Sequence, residues 1–283
     1  MLNMKVTLPV PLLPCVDLES PPTETSEDFT LQHLSYLGCS YFVATSLNIQ
    51  DLTIFLSKNS GIQAYVDVRA IRSINDIVIL LDAGVLRVFV TNSQKESMVH
   101  YSDRLILIQD ASEPLSSQSE DLGILLDVID DVSTLDSNLK TLTDKKISPI
   151  YIKTSPSTLD SHVAIAKKYS ATPVISTSCL TIGPVIQGKI SIPKYLATVW
   201  NSDRDDNLLS TIVTDIRGSV LGLVYSNEES LAESLKTGTG VYQSRKRGLW
   251  YKGSTSGDTQ ILVRFYLDCD LDCLKFVVRQ EGR

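Results

Sequence analysis

Four apolar residues in succession, Tyr41-Phe42-Val43-Ala44, form the stretch that decides the fold. A continuous apolar run of this length is typical of a parallel strand that is covered on both faces. Similar runs recur before and after it, and each is followed by a polar turn and a segment with helical spacing. The N-terminal part of the chain is therefore predicted to repeat a strand-turn-helix unit, which is the pattern of an α/β domain.

The repeat occurs eight times before about residue 196. Eight such units in this length are typical of a small (β/α)8 barrel. An open, doubly wound sheet produces the same local pattern, so periodicity alone leaves both architectures open. The predicted strands span residues 6–10, 41–45, 63–68, 86–91, 104–109, 122–126, 149–153 and 172–176.

The composition is that of a globular protein of 283 residues, long enough for one large domain or two ordinary ones. No apolar run approaches the roughly 18 residues that span a bilayer, and the start of the chain lacks the layout of a signal peptide. Five widely spaced cysteines do not form a disulfide framework, which favours the reducing cytoplasm. The net charge of −7 argues against general nucleic-acid binding.

The character of the chain changes after Trp200. Residues 201–207 form a polar, turn-prone seam, which predicts a boundary between domains at 1–200 and 201–283. A helix is predicted with Ser226 as its N-cap, Glu229 completing a capping box and Gly238 ending it. Strands surround this helix, so the second domain is predicted to be a small α+β module with a mostly antiparallel sheet. Its predicted strands span residues 210–215, 220–225, 241–244, 249–252, 261–268 and 274–279.

The most distinctive chemistry lies in the run Asp268-Cys269-Asp270-Leu271-Asp272. On a strand, alternate residues face the same side, so the three aspartates are predicted to line one face and Cys269 the other. Three carboxylates on one face repel each other unless a hard cation lies between them, and Mg²⁺ takes oxygen ligands. A thiolate suits a softer metal such as Zn²⁺. The alternative is an exposed edge strand that is blunted with charge.

Two further stretches of the second module are candidates for ligand binding. Residues 240–252 carry the cations Arg245, Lys246 and Arg247 near a tryptophan, a composition suited to phosphate and a flat base. The alternative for a bare basic triplet is a solvated hairpin turn. Residues 253–257 form a Gly/Ser/Thr loop whose N–H and hydroxyl groups suit an anion, although most such loops are only connections.

In their order along the chain, these stretches resemble the phosphoribosyl-AMP cyclohydrolase family, and most of all the cyclohydrolase segment of fungal trifunctional histidine-biosynthesis proteins. The resemblance covers about residues 202–280. The motifs that carry it are Gly222-Leu223-Val224-Tyr225-Ser226, Gly240-Val241-Tyr242-Gln243-Ser244-Arg245, Leu249-Trp250-Tyr251-Lys252-Gly253, Thr255-Ser256-Gly257 and Leu267-Asp268-Cys269-Asp270-Leu271-Asp272.

The resemblance implies an enzyme of histidine biosynthesis that opens the adenine ring of phosphoribosyl-AMP between N1 and C6. It implies Mg²⁺ at Asp268, Asp270 and Asp272, and Zn²⁺ at Cys269. Zinc-bound water, with a pKa near 7, would attack the ring. A homodimer is implied by the family alone. The residues implied to lie near the nucleotide are Ser244, Arg245, Trp250, Lys252, Thr255 and Ser256.

The zinc site is expected to be incomplete within this sequence. In the family, a Cys-His pair and a further Cys follow the last strand, whereas this sequence ends at Arg283. A catalytic zinc takes three protein ligands, and Cys273 matches a family position that is not a ligand. This fragment alone is therefore expected to be inactive, and a non-catalytic scaffold or pseudoenzyme is the alternative function.

The first domain resembles the phosphoribosyl-formimino isomerase barrel in three segments, at residues 12–18, 80–90 and 183–190. This resemblance favours the barrel over the open sheet and moves the first strand towards Leu12. The run Ile175-Ser176-Thr177-Ser178-Cys179 lacks the paired glycines that bring a backbone close to phosphate. We therefore predict a degenerate, non-catalytic barrel, in which Asp17 is a capping or loop residue.

Overall fold

The structure is a computed structural model that describes residues 8–26, 28–110, 122–127 and 131–282. The described residues form two compact units. One contains residues 12–22 and 39–179, and the other contains residues 8–11, 23–38 and 180–282. The α-helices are α1 (Leu31–Leu37), α2 (Ile49–Lys58), α3 (Ile74–Asp82), α4 (Asn92–Ser97), α5 (Val132–Asp144), α6 (Leu159–Lys168), α7 (Ile192–Val199) and α8 (Glu228–Thr237).

Eight parallel strands close into a barrel in the first unit. They are β1 (Leu13–Cys15), β2 (Cys39–Val43), β3 (Gln63–Asp67), β4 (Arg87–Val90), β5 (Leu105–Asp110), β6 (Gly123–Asp127), β7 (Ile150–Lys153) and β8 (Thr172–Ser176). Strands β1 and β8 complete the ring, with Leu13 opposite Val174 and Cys15 opposite Ser176. The predicted barrel is confirmed, and the open sheet is excluded.

The barrel interior is filled by aromatic side chains from strands that are not neighbours in the sheet. The rings of Tyr41 and Phe89 lie 5.1 Å apart, and those of Phe89 and Tyr151 lie 5.2 Å apart, both edge to face. All three side chains are buried. Helices α5 and α6 cover the outer face of β6 and β7 through an apolar cluster that includes Leu135, Leu139 and Leu142.

The prediction of a first strand at residues 6–10 is wrong where it can be judged. Residues 1–7 lie outside the described residues, and residues 8–10 are not in a strand. The strand lies at Leu13–Cys15, next to the position that the isomerase resemblance indicated. Residues 6–10 and Leu13–Cys15 are both short and apolar, so local pattern does not distinguish them. The strand is selected by its pairing with β8, which is a long-range contact.

The second unit has a four-stranded sheet in the order β12-β11-β16-β15, built from β11 (Leu209–Asp215), β12 (Val220–Ser226), β15 (Gln260–Leu267) and β16 (Cys273–Gln280). The pair β11 and β16 is parallel, and the other two pairs are antiparallel. Two small sheets pair β9 (Leu180–Thr181) with β10 (Ile190–Ser191), and β13 (Val241–Ser244) with β14 (Gly248–Tyr251).

Helices α1 and α8 pack against strands of this second unit. Its core contains Leu235, Tyr242, Phe265 and Phe276, all buried. Residues 180–200 belong to this unit by compactness. Compactness does not define the limits of homologous domains, so the predicted domains 1–200 and 201–283 stay predictions.

Candidate active site

The run Asp268–Asp272 forms a tight turn between β15 and β16, which we call the acid turn. The backbone N–H of Leu271 donates to the carbonyl of Asp268 (3.3 Å), and the N–H of Asp268 donates to the carbonyl of Cys273 (3.1 Å). Leu271 has a φ of 64°, in the left-handed region. The prediction of a strand that alternates carboxylates with a thiol is therefore wrong for these residues, because the chain reverses direction there.

The turn nevertheless gathers the three carboxylates. One oxygen from each of Asp268, Asp270 and Asp272 lies within 4.8 Å of the others. The Oδ1 atom of Asp268 accepts from the backbone N–H groups of Asp272 (3.0 Å) and Cys273 (3.1 Å), which fixes its position. The hydrogen bond that the protonated Asp272 carboxyl donates to Asp268, together with the negative charge of Asp268, raises the pKa of Asp272. Crowding of like charges is the condition that a bound divalent cation relieves.

The two cysteines of this region differ in environment. Cys269 is exposed, with Sγ 3.6 Å from Oδ1 of Asp270, so the thiol is beside the carboxylates and not on an opposite face. Cys273 is partly buried, which raises the pKa of its thiol. Among the described residues, neither thiol belongs to a group of three potential metal ligands.

A residue of the polar seam clasps the acid turn. Asn201 donates from its backbone N–H to the carbonyl of Leu271 (2.7 Å) and from its Nδ2 to the carbonyl of Asp270 (2.7 Å). These two bonds hold both carbonyls at the tip of the turn. Sequence reasoning treated residues 201–207 only as a polar seam at a domain boundary and missed this contact.

The polar seam also brings Arg204 to the sheet end that bears the acid turn, where Arg245 lies as well. Ser210 pairs with Cys273 on one side and with Tyr225 on the other, so the three residues form one row. The guanidinium of Arg204 lies 4.5 Å from the centre of the Tyr225 ring, and that of Arg245 lies 5.2 Å from it. With strands about 4.8 Å apart, Tyr225 is roughly 10 Å from the backbone beside the turn.

Other predicted residues surround the basic hairpin turn. The hydroxyl of Ser244 accepts from the backbone N–H groups of Lys246 (3.4 Å) and Arg247 (3.2 Å), and so shapes the turn. Trp250 is half-buried, with its ring 6.1 Å from that of Tyr242 and 6.0 Å from the guanidinium of Arg247. The hairpin turn and the predicted ligand surface are thus the same element.

The remaining predicted residues lie at the opposite end of the β15–β16 hairpin. The backbone N–H of Lys252 donates to the carbonyl of Gly240, which itself pairs with Gln260 at the start of β15 (3.0 and 2.8 Å). Thr255 and Ser256 are exposed in the loop that precedes this strand. The acid turn follows the end of β15, eight residues on, a distance of roughly 23 Å along a strand. One chain does not bring these two groups together.

Known proteins match both this region and the chain as a whole. The model of the family described as phosphoribosyl-AMP cyclohydrolase matches residues 222–283. A histidine biosynthesis trifunctional protein of Neurospora crassa is 43% identical over 284 residues, covering 99% of this chain and 33% of the relative. The histidine biosynthesis bifunctional protein his7 of Schizosaccharomyces pombe is 35% identical over 291 residues, covering 96% of this chain and 68% of that protein. This chain belongs to the histidine-biosynthesis protein family.

The match to a stand-alone enzyme supports the same assignment. A phosphoribosyl-AMP cyclohydrolase of Thioalkalivibrio sulfidiphilus is 45% identical over 93 residues, covering 32% of this chain and 69% of the relative. The family that the motifs indicated is confirmed, and the matched residues contain every predicted site residue. The chain spans about a third of the length of the Neurospora relative. Among the described residues, no helix is long and apolar enough to cross a membrane.

Proposed function

We propose that this chain, within a protein that completes the zinc site, opens the adenine ring of phosphoribosyl-AMP in histidine biosynthesis. Water adds to C6, the bond between N1 and C6 breaks, and a proton goes to N1, which gives the phosphoribosyl-formimino carboxamide product. The observation that carries the proposal is the acid turn, because it gathers three carboxylates inside the residues that match the cyclohydrolase family. Family membership identifies the reaction, and the acid turn supplies the negative charge that suits a bound metal ion.

The carboxylates of Asp268, Asp270 and Asp272 fit a magnesium ion. One oxygen of each lies within 4.8 Å of the others, and carboxylate oxygens are ligands that Mg²⁺ takes. When bound, magnesium neutralises phosphate charge and orients the substrate. The backbone bonds to Asp268 fix one carboxylate, and the clasp by Asn201 holds the backbone of the acid turn before binding.

Cys269 is proposed as one zinc ligand, on the family resemblance and its exposure beside the acid turn. The described residues do not complete a zinc site, because they hold no group of three ligands that includes a thiol. The zinc content of the purified chain, measured against a Cys269→Ser variant, tests whether this thiol binds the metal.

The arginines next to the turn are proposed to hold the phosphates. Arg245 and Arg204 both stack on Tyr225, at the sheet end that bears the acid turn, and Arg204 is fixed by two hydrogen bonds to Asp206 (2.8 and 2.6 Å). Guanidinium groups bind phosphate through paired N–H donors. Trp250 offers a ring face for the base, and Ser244 shapes the turn that carries Arg245.

A homodimer is proposed because the other predicted residues lie at the far end of the β15–β16 hairpin. If Lys252, Thr255 and Ser256 also contact substrate, as the family resemblance implies, a second copy has to bring them to the acid turn. The loop that carries Thr255 and Ser256 is restricted in conformation, because Gly253 has a φ of 91° and a Cβ there would lie 2.8 Å from the backbone of Asp258. The non-catalytic scaffold remains the competing function, and it predicts no turnover.

An Asp270→Asn variant tests the proposal. Loss of a magnesium ligand should lower the turnover of phosphoribosyl-AMP by at least about 10- to 100-fold, since the loss of second-shell partners alone has effects of this size. It should also raise the magnesium concentration needed for half-maximal rate. Asp160→Asn, which removes an exposed carboxylate on α6, is the matched control and should change neither value. Equal rates for both variants would contradict the assignment.

A further inference from the structure

Charged side chains converge at one rim of the barrel. The last residues of β3, β6 and β7 are Asp67, Asp127 and Lys153, and Arg69 follows β3 by two residues. All strands of the barrel are parallel, so their carboxyl ends open on one face, which is where barrels of this kind place ligand sites. We call these four residues the mouth cluster. The cyclohydrolase match does not include them.

Most of the mouth cluster is rigidly held. Arg69 donates from Nε to both oxygens of Asp67 (3.1 and 2.9 Å) and from Nη2 to Oδ2 of Asp67 (2.6 Å), while its Nη1 donates to Oδ2 of Asp127. The hydroxyl of Tyr41 also donates to Asp67 (2.9 Å), and both of these side chains are fully buried. The guanidinium therefore ties the end of β3 to the end of β6.

One carboxylate oxygen in the mouth cluster lacks a hydrogen-bond donor. Oδ1 of Asp127 is buried and accepts no hydrogen bond from the described residues. Nζ of Lys153 forms an ion pair with this oxygen at 3.6 Å, beyond hydrogen-bond length, and its side chain is 29% exposed. A buried carboxylate oxygen without a donor is unfavourable, so this geometry suits a ligand that brings a donor to Asp127 and an acceptor to Lys153.

The charge at this rim selects the class of ligand. Two carboxylates, one guanidinium and one ammonium sum to zero, and Asp17 and Asp110, which lie after β1 and at the end of β5, add negative charge. The thiol of Cys15, the last residue of β1, is uncharged because burial raises its pKa to about 11. Such a rim disfavours phosphate, and the loop after β8 lacks the glycines for it.

We propose that the barrel mouth binds a small zwitterion of the α-amino-acid type, with its ammonium on Oδ1 of Asp127 and its carboxylate on Nζ of Lys153. In such a ligand the two groups are adjacent, so the four charges alternate around a closed ring. Arg69 and Tyr41 hold the acceptor side in place before the ligand arrives. The barrel then has a ligand site of its own.

The test uses the full 283-residue chain. Each proteinogenic L-amino acid is added separately in thermal-shift assays, and any that raises the melting temperature is titrated by calorimetry, since a ligand of the folded state stabilises it. At least one is expected to bind with one site per chain. Its N-acetyl derivative and its decarboxylated amine should each bind at least about tenfold more weakly, because each lacks one charged hydrogen bond.

Variants locate the site. Lys153→Gln and Asp127→Asn should each weaken binding about tenfold or more. Lys168→Gln, which removes a lysine paired with Asp136 between two helices of the same unit, should leave it unchanged. The proposal is overturned if no amino acid binds at up to about 10 mM, if Lys153→Gln binds like the wild type, or if inorganic phosphate binds there more tightly than any zwitterion.

Discussion

Asp268 serves the acid turn in two ways, through its backbone and its side chain. Its carbonyl accepts from Leu271 and its Oδ1 accepts from the N–H groups of two following residues, so the turn and the carboxylate cluster depend on one another. Asp270 lies at the tip, where its carbonyl is held by Asn201. The carboxylates are thus positioned by the turn, and not by the pleat of a strand.

Cys269 and Cys273 allow a matched test at single-residue scale. Cys269→Ser should abolish most turnover in a chain that shows activity, because the exposed thiol beside Asp270 is the proposed zinc ligand. Cys273→Ser should retain most turnover, since this thiol is partly buried and bonds to a backbone carbonyl (3.5 Å). Steady-state rates and bound zinc per chain are the measurements. Similar losses in both variants would show that Cys269 has no special role.

Sequence reasoning singled out the three carboxylates of the acid turn but not their geometry. The composition of residues 268–272 predicts a cation site whether the segment is a strand or a turn, because the carboxylates are adjacent in either. Leu271 gives no local signal for its left-handed backbone, which glycine or asparagine would have indicated. The roles of Asn201 and Arg204 depend on tertiary contacts with residues far along the chain, so no local pattern announces them.

The caps of helix α8 can be compared with those predicted from sequence. Its end at Gly238 is confirmed, with a φ of 65°. Its predicted start is wrong by one residue, because Asn227 is the N-cap and pairs with Ser230 in the capping box. Ser226 and Glu229 fit the sequence rule equally well, but the hydroxyl of Ser226 is buried and accepts from Thr211 (2.8 Å).

The cap of α8 predicts a change in stability. Asn227→Ala removes the acceptor for the N–H of Ser230 (2.9 Å) and should lower the free energy of unfolding by about 1 kcal/mol. Asn92→Ala, at an exposed first position of α4, should change it by less than about 0.5 kcal/mol. Urea denaturation measures both values. A loss for Asn92→Ala as large as that for Asn227→Ala would refute the capping role.

Helix α1 predicts a dependence of stability on pH. Nδ1 of His33 accepts from the N–H of the N-cap Thr30 (3.0 Å), and burial lowers the pKa of this imidazole. The unfolded chain therefore takes up a proton more readily, so stability is full above the unfolded pKa of about 6.5 and falls as the pH drops below it.

The matched variant is His33→Gln, since glutamine keeps the capping interaction without titrating. The urea midpoint should drop between about pH 7.5 and about pH 5.5, and this drop should be larger for the wild type than for the variant. If both proteins lose the same stability over this interval, His33 does not cause the dependence.

At the scale of the whole molecule, the separation of Lys252 from the acid turn predicts a site made by two copies. Co-expressed Lys252→Ala and Asp270→Asn chains, each inactive alone, should regain up to about one quarter of the wild-type rate, because one site in each mixed dimer is intact. If each site were formed by a single chain, every site in the mixture would contain one of the two substitutions, and no activity would return.

The barrel marks the limit of what local pattern predicts for the whole molecule. Seven of its strands lie close to their predicted positions, since buried parallel strands are continuous apolar runs. Closure depends on the pairing of β1 with β8, which are about 160 residues apart. The mouth cluster likewise joins Asp67 to Asp127, and only the closed barrel brings them together.

The central claim is that the chain adds water to C6 of phosphoribosyl-AMP at the acid turn. Its most direct test uses the chain within a protein that completes the zinc site. This protein is supplied with the substrate, zinc and magnesium in heavy-oxygen water, and the product is analysed by mass spectrometry. The account predicts a ring-opened product that carries one heavy oxygen in its carboxamide, formed by the wild type and nearly absent with Asp270→Asn. Unchanged substrate with the wild type, or a ring-opened product without the heavy oxygen, would contradict it.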